Sequence, residues 1–262
     1  MERIDVNRKG RLANKISIVT GGGQGIGKAI ALKMAQEGSN VMIADLSEEI
    51  AQQTAEEIAT QTGIHAGFVS GDLSLEETAN KMVKKTMQLF GRIDILVNNA
   101  GGGIILPFLE HTPETLKETI DRNLWTAIWS CRAVVPIMIG QEYGRIINIG
   151  ADSIRTGIAH HSGYNAAKGG VHGLTTGLAM EFVHKNIHVN TVAPSAIATE
   201  GFLNIEKDPS YKELVENWLN VIPMGRPGTK EEVANVVAFM ASNEADFMTG
   251  QIISVNGGSR MI

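Results

Sequence analysis

The sequence predicts an α/β protein built on one doubly wound parallel sheet with helices on both faces. Three observations carry that expectation. Runs such as KISIVT and NVMIAD are continuously aliphatic, as expected of strands covered on both faces. Stretches of helical periodicity alternate with these runs along the whole chain, the arrangement that gives a parallel sheet. No Pro/Gly/Ser linker or internal repeat interrupts the 262 residues. A single domain over residues 14–262 is therefore expected, behind a polar N-terminal tail at 1–13.

Each element can be justified in turn. KISIVT is the first strand; GGGQGIG breaks it, and IGKAIALKMAQEG continues as a helix that ends at Gly38. NVMIAD is the second strand, and an amphipathic helix capped by Ser47 follows. HAGFVSGD is the third strand, with a helix over 74–90. RIDILVNNAGG is a fourth strand that runs into glycines. A long helical pattern covers about 113–139, and GRIINIG is the fifth strand. A helix over 162–185, the strand NIHVNTVAP, an insertion with helical character at about 200–220, a helix over 229–241 and a last strand QIISVNGG complete the chain. The pass gives seven strands.

Composition narrows the function classes. Apolar residues make up 43% and charged residues 19%, and the formal charge is −5, which argues against nucleic acid as a partner. The single cysteine, Cys131, cannot form an internal disulfide and lies in an apolar run, so it reads as core in a reducing cytoplasm. MERIDVNRKGRLAN has no apolar segment of the signal-peptide kind, and no membrane span is expected. The seven histidines show no metal-ligand spacing; His184 and His188 straddle a helix-to-strand turn.

The first strand–turn–helix reads Thr20-Gly21-Gly22-Gly23-Gln24-Gly25-Ile26-Gly27. Such a turn offers free N–H groups and the positive end of a helix to a pyrophosphate, and the missing side chains allow close approach. Asp45 ends the second strand, 18 residues past Gly27, where a carboxylate accepts from an adenosine ribose diol and repels a 2′-phosphate. Neither Leu46 nor Ser47 supplies a compensating charge, so NAD is expected and NADP disfavoured. Asp72 suits an adenine amino group and equally a plain turn. Asn99 and Gly101, in NNAG, lie on the same carboxyl edge of the sheet.

Taken together, TGGGQGIG, Asp45, NNAG, Asn123, Tyr164-x-x-x-Lys168 and PSAIAT resemble, in order, the short-chain dehydrogenase/reductase family over about residues 14–257. The resemblance implies a single Rossmann-type sheet of seven strands and hydride transfer between a nicotinamide and a secondary alcohol or ketone. It implies Tyr164 as acid–base, with Lys168 and an oxidised nicotinamide lowering its pKa and Lys168 also holding the nicotinamide ribose. It further implies a water-linked relay at Asn123 and cofactor contacts from Ile197 and Thr199. Four residues apart on a helix, Tyr164 and Lys168 share a face. Asparagine is a poor helix-interior residue, so a distortion or a role is expected at Asn123; an amide satisfied by a nearby carbonyl is the plain alternative.

The chain departs from the family at two places. The usual serine stands 13 residues before the tyrosine, a count that lands on Ala151. Three readings compete: Ser153 supplies the hydroxyl, Asp152 or a water replaces it, or the donor is absent. Ser153 is the expectation, while Ser162 reads as a helix cap. The other departure is Ser195, which replaces the glycine of the family's Pro-Gly-x-x-x-Thr.

Arg155, His160 and His161 lead into Tyr164 and would suit an anionic substrate, or are solvated loop residues. The resemblance implies a variable lid at about 195–225, with Phe202, Leu203, Trp218 and Leu219 as apolar candidates for closing over a ring; an amphipathic helix packed on the domain is the equal alternative. Portions of the chain are similar to family members that oxidise dihydrodiol carboxylates, and also to acyl-carrier-protein ketoreductases and polyol dehydrogenases. Self-association through the helices at 113–139 and 162–185 is implied, a tetramer before a dimer. The rival readings are an NADPH-dependent 3-oxoacyl reductase and a dinucleotide-binding protein without turnover.

Overall fold

The strand Ile16–Thr20 (β1) is buried at every position, and its flanking strands lie parallel on both sides. The computed structural model describes residues 10–207 and 212–261. Asn40–Asp45 (β2), Ala66–Ser70 (β3), Ile95–Asn98 (β4), Gly144–Ile149 (β5), Ile187–Pro194 (β6) and Ile252–Val255 (β7) complete a seven-stranded sheet in the order β3-β2-β1-β4-β5-β6-β7. All pairings are parallel. The strand order reverses between β1 and β4, which opens a crevice at their carboxyl ends.

Two apolar layers cover the sheet, as the unbroken burial of its central strands requires. On one face Ile30 and Met34 of Gly25–Gln36 (α1), Ile58 of Glu48–Thr62 (α2) and Val237 of Lys230–Met240 (α10) pack on β1, β2 and β4. On the other, Met82 of Glu76–Phe90 (α3), Val134 and Met138 of Thr126–Gln141 (α5) and Ala179 of Ser162–Phe182 (α7) do the same. Cys131 belongs to this second layer, and its burial pushes the thiol up to about 12. No helix among the described residues is long and apolar enough to cross a membrane.

The structure differs from the sequence expectation at three places in the framework. Residues 10–13 are packed: Leu12 is fully buried and Arg11 pairs with Glu37, so the framework begins before residue 14. Residues 1–9 lie outside the described residues. The expected long helix is two, Pro113–Ile120 (α4) and α5, joined by a π-helical turn at Asp121–Trp125 that holds Asn123. Ser162 does not cap: it is the first residue of α7, exposed, while His161 occupies the cap position without a side-chain bond.

A row of polar side chains runs beneath the carboxyl edge. Asn98, Asn148 and Thr191 share one register across β4, β5 and β6. Asn98 donates to Asn148 (2.8 Å), Asn148 to Thr175 of α7 (2.8 Å), and Thr175 bonds Thr191 (2.7 Å). All four are buried, so the row ties α7 to the sheet at a fixed height and sets the reach of the residues above it.

Candidate active site

The glycine turn is fixed by its own backbone. Gly21 and Gly25 take positive φ (58° and 54°), and a Cβ on Gly27 would overlap the Gly21 carbonyl. Asn99 closes the turn from β4: its amide donates to the carbonyls of Thr20 (3.1 Å) and Gly21 (3.0 Å). The Thr20 hydroxyl in turn accepts from the N–H groups of Asn99 and Ala100, both at 3.0 Å. A Cβ on Gly25 would meet nothing closer than Thr199, at 3.8 Å, so this side of the turn is open. Gln24 caps α1 without a side-chain bond, which leaves the N–H groups of the first turn free for a ligand.

Asp45 sits against this turn. One carboxylate oxygen accepts from the Gly23 N–H (3.0 Å) and the other from the Ser47 N–H (3.3 Å). Both retain lone pairs, and the group is half-buried at the end of β2. These residues fit an adenosine ribose and a pyrophosphate: an uncapped helix start, an open glycine and an anchored carboxylate. Asp72, by contrast, is exposed and bonds the Ser74 N–H (2.8 Å) in a local turn.

Beyond the glycine turn lies a cavity of about 370 Å³. Ile26 of α1, Tyr164 and the loop after β6 all line it, so the glycine turn and the tyrosine open on one space. The phenol makes no hydrogen bond to the described residues and is free to meet a substrate. Lys168 lies one turn on, 4% exposed, and donates to the Ile149 carbonyl (2.8 Å). Its ammonium is 5.9 Å from the Tyr164 ring centre.

Burial governs both groups: it pushes Tyr164 up to about 12 and Lys168 down to about 8. The expectation pairs Lys168 with an oxidised nicotinamide, and the free protein holds only the first of these. In the protein alone, desolvation of the phenolate outweighs the neighbouring cation.

Asn123, 1% exposed, donates to the carbonyls of Gly102 and Thr119, both at 2.8 Å, and accepts from the Gly102 N–H (3.1 Å). In a regular helix the Thr119 carbonyl would take the backbone N–H four residues on; here the side chain takes that place in the π turn. The amide is thus committed to backbone, as the plain alternative had it. Gly101 is squeezed between this amide and Lys168: a Cβ there would lie 2.6 Å from Asn123 Oδ1 and 3.4 Å from Lys168 Nζ.

Ser153 reaches the cavity, as does Ala151. Its hydroxyl, however, bonds Asn165 Oδ1 at 2.6 Å, while Asn165 Nδ2 donates to the Ser153 carbonyl at 3.1 Å. The carbonyl fixes the amide's orientation, so the hydroxyl must donate to Oδ1, and its proton points away from the substrate space. The expected donor role for Ser153 is corrected accordingly. Asp152 does not replace it: its carboxylate accepts from Ser254 (3.0 Å), Asn256 (2.9 Å) and Ser259 (2.9 Å).

Of the three expected substrate residues, only His161 lines the cavity. Arg155 turns to Ser254 in β7 (3.1 Å), and His160 is exposed at φ 63°. Ile197 and Thr199 line the cavity, on a loop pinned by the mutual backbone bonds of residues 196, 198 and 228. Thr199 Oγ1 accepts from the Phe202 N–H (3.2 Å) at the start of Glu200–Lys207 (α8). Phe202, and Trp218 of Lys212–Asn220 (α9), line the cavity, whereas Leu203 and Leu219 do not. The expected lid also includes residues 208–211, which lie outside the described residues. Asn165 and Thr20 carried no signal in the sequence, because their partners are set by tertiary contact. Among the described residues no cluster of three metal-ligating side chains occurs.

A family model described as enoyl-(acyl carrier protein) reductase matches residues 21–260. Over 251 residues, 96% of each chain, the protein is 50% identical to a 2,3-dihydroxy-2,3-dihydro-p-cumate dehydrogenase of Pseudomonas putida. It is 41% identical over 250 residues to a 3-oxoacyl-[acyl-carrier-protein] reductase of Aquifex aeolicus, covering 95% of this chain and 98% of that one. The crystal structure of gox2181 superposes with a TM-score of 0.89 at 37% identity, covering 95% and 96% of the two chains. The chain belongs to the short-chain dehydrogenase/reductase family. It is an oxidoreductase that acts on CH–OH groups with a nicotinamide dinucleotide.

Proposed function

We propose that the protein is an NAD-dependent dehydrogenase of vicinal ring diols, with Tyr164 as the proton acceptor. The observation that carries this reading is the unpartnered phenol, open to an otherwise mainly apolar cavity that continues into the glycine turn. The 50% identity to a dehydrogenase named for a 2,3-dihydroxy-2,3-dihydro ring supports a cyclic diol.

Bound NAD supplies a hydride acceptor and a positively charged ring. Asp45 holds the adenosine ribose and disfavours a 2′-phosphate by charge, while Gly21, Gln24, Gly25, Ile26 and Gly27 receive the pyrophosphate. Asn99 holds the turn from behind, and Gly101, Ile197 and Thr199 border the nicotinamide end. Lys168, with its pKa near 8, is mostly cationic at neutral pH and has N–H groups left over from Ile149 to hold a ribose hydroxyl. Asn123 is a positioning residue that sets the loop at 101–103 beneath Lys168. Tyr164 takes the proton of the reacting hydroxyl, and cations on two sides are what bring a phenol near 12 into range.

Phe202 and Trp218 act as a lid that excludes water. The half-exposed Trp125 in the π turn and exposed Met180 in α7 suit a helix-to-helix interface, so a homotetramer is proposed. A reducing cytoplasm fits the one buried cysteine.

The test is a substrate screen with NAD and NADP over ring diols, ring monoalcohols and 3-oxoacyl thioesters. The reading expects NAD-linked oxidation of cis-diols. NADPH-linked reduction of thioesters would overturn it in favour of the acyl reductase, which the 41% identical relative represents. Cofactor binding without turnover of any compound would favour a binding protein.

A further inference from the structure

His161 and Trp218 both line the cavity, and each carries a polar atom with no hydrogen-bond partner among the described residues. His161 Nδ1 lies 2.8 Å from the Ala159 carbonyl, an oxygen that only accepts, so Nδ1 carries the proton. In the neutral ring, Nε2 is then a bare acceptor, and it has no partner among the described residues. Burial holds this imidazole below its usual pKa, which keeps it neutral near pH 7. The Trp218 indole N–H is enclosed and has no hydrogen-bond partner among the described residues. The two rings meet edge to face at 6.1 Å, and His161 meets Tyr164 at the same separation on its other side.

An unpaired acceptor and an unpaired donor on two rings in contact are satisfied together by one kind of small group. A hydroxyl donates and accepts at once; a ketone or ether oxygen would face the Nε2 lone pair, and a methylene would leave both atoms unpaired. A buried unpaired donor or acceptor costs more than the bond it would have made is worth. The remaining groups do not compete for this task. The Ser153 proton goes to Asn165, the Asp152 carboxylate is saturated by three donors, and Ile158 and Phe202 are apolar.

We propose that His161 Nε2 and Trp218 Nε1 form the subsite for the second, non-reacting hydroxyl of the substrate, and so set the preference for a diol over a monoalcohol. The inference rests on the ring-diol reading and assigns its specificity to two residues. In the bound state the reacting hydroxyl faces Tyr164, and its neighbour donates to His161 and accepts from Trp218. The pair lies three residues from Tyr164 on one side and in the lid on the other. Binding of the diol therefore ties α9 to the start of α7, and a monoalcohol does not.

The experiment measures kcat/KM for cis-1,2-dihydroxycyclohexa-3,5-diene and for cyclohex-2-en-1-ol in the wild type, His161→Phe and Trp218→Phe. Both replacements keep an aromatic ring and remove the polar atom; His161→Phe also loses the Nδ1 bond to Ala159, and Trp218→Phe loses one ring of the indole. Each should reduce the diol-to-monoalcohol ratio by about tenfold, the effect of one buried hydrogen bond. The NAD Kd and the far-ultraviolet circular dichroism should stay close to those of the wild type, which shows that the variants are folded. A ratio unchanged in both variants, with the wild type preferring the diol, overturns this subsite and leaves the ring-diol reading standing. A wild type that shows no preference for the diol overturns the ring-diol reading itself.

Discussion

At the cofactor end of the cleft, backbone is held by backbone and by side-chain amides, and the N–H groups of the α1 start and the Asp45 lone pairs are left for a ligand. Gly27 lies against the Gly21 carbonyl, Asn99 bridges two carbonyls of the turn, and Asn123 locks the loop at 102. At the substrate end, the wall is made of side chains, and several polar atoms there have no partner: the Tyr164 hydroxyl, His161 Nε2 and Trp218 Nε1. The difference separates two tasks. A cofactor common to every turnover is met by backbone locked in a saturated frame, whereas a substrate is recognised by side-chain groups kept unsatisfied until it arrives.

If that division is right, damage at the two ends should differ in kind as well as size. The largest effect is expected at the unsaturated end: Tyr164→Phe should lower kcat by about 10³-fold while the NAD Kd changes little, measured by turnover and by cofactor titration. At the saturated end, Gly27→Ala drives a methyl group into the Gly21 carbonyl and to 2.5 Å from Asn99 Nδ2. The turn must open, so NAD binding should weaken by about a hundredfold, and substrate selectivity among the turnovers that remain should be unchanged. Asp45→Ala, in a place that touches only the ribose end, should reduce the NAD-over-NADP preference in kcat/KM by about tenfold or more.

The smallest effect is predicted away from both ends. Glu37, between Arg11 and Lys33, is held down to about 2, chiefly by its hydrogen bond with Arg11. A carboxylate with a lowered folded pKa stabilises the fold above its unfolded pKa, near 4.5, and that contribution disappears as pH falls toward 2. Glu37→Gln should therefore lower Tm at pH 7 by about 2–4 °C, corresponding to roughly 1 kcal/mol, and by progressively less as the pH is lowered through that window. Activity should not change.

The same division explains what could be read from the sequence. The saturated end was legible because its constraints are local: a glycine turn between a buried strand and a helix, and a carboxylate after β2; Tyr164 and Lys168, one turn apart where the two ends meet, were legible for the same reason. The seven strands followed from runs of aliphatic residues for the same reason. Asn123 was legible as an anomaly, since an asparagine inside a helical pattern signals distortion, but not that the distortion is a π turn. At the other end, partners come from far along the chain. Arg155 is drawn away from the cavity by Ser254, 99 residues later, and Asp152 by residues 102 to 107 positions on. Ser153 was placed in the cavity correctly, but its proton is oriented by Asn165, which nothing in the local pattern marks. Leu12 looked like part of a tail because its burial depends on contacts with the α1 side of the core.

The central claim is that Tyr164 becomes a base only when the cofactor joins Lys168 beside it. The most direct measurement is the near-ultraviolet phenolate absorbance, titrated against pH with and without NAD, as a difference between the wild type and Tyr164→Phe. The account predicts a phenol that ionises near 12 in the free protein and at least two pH units lower with NAD bound. A titration that NAD does not move would contradict it.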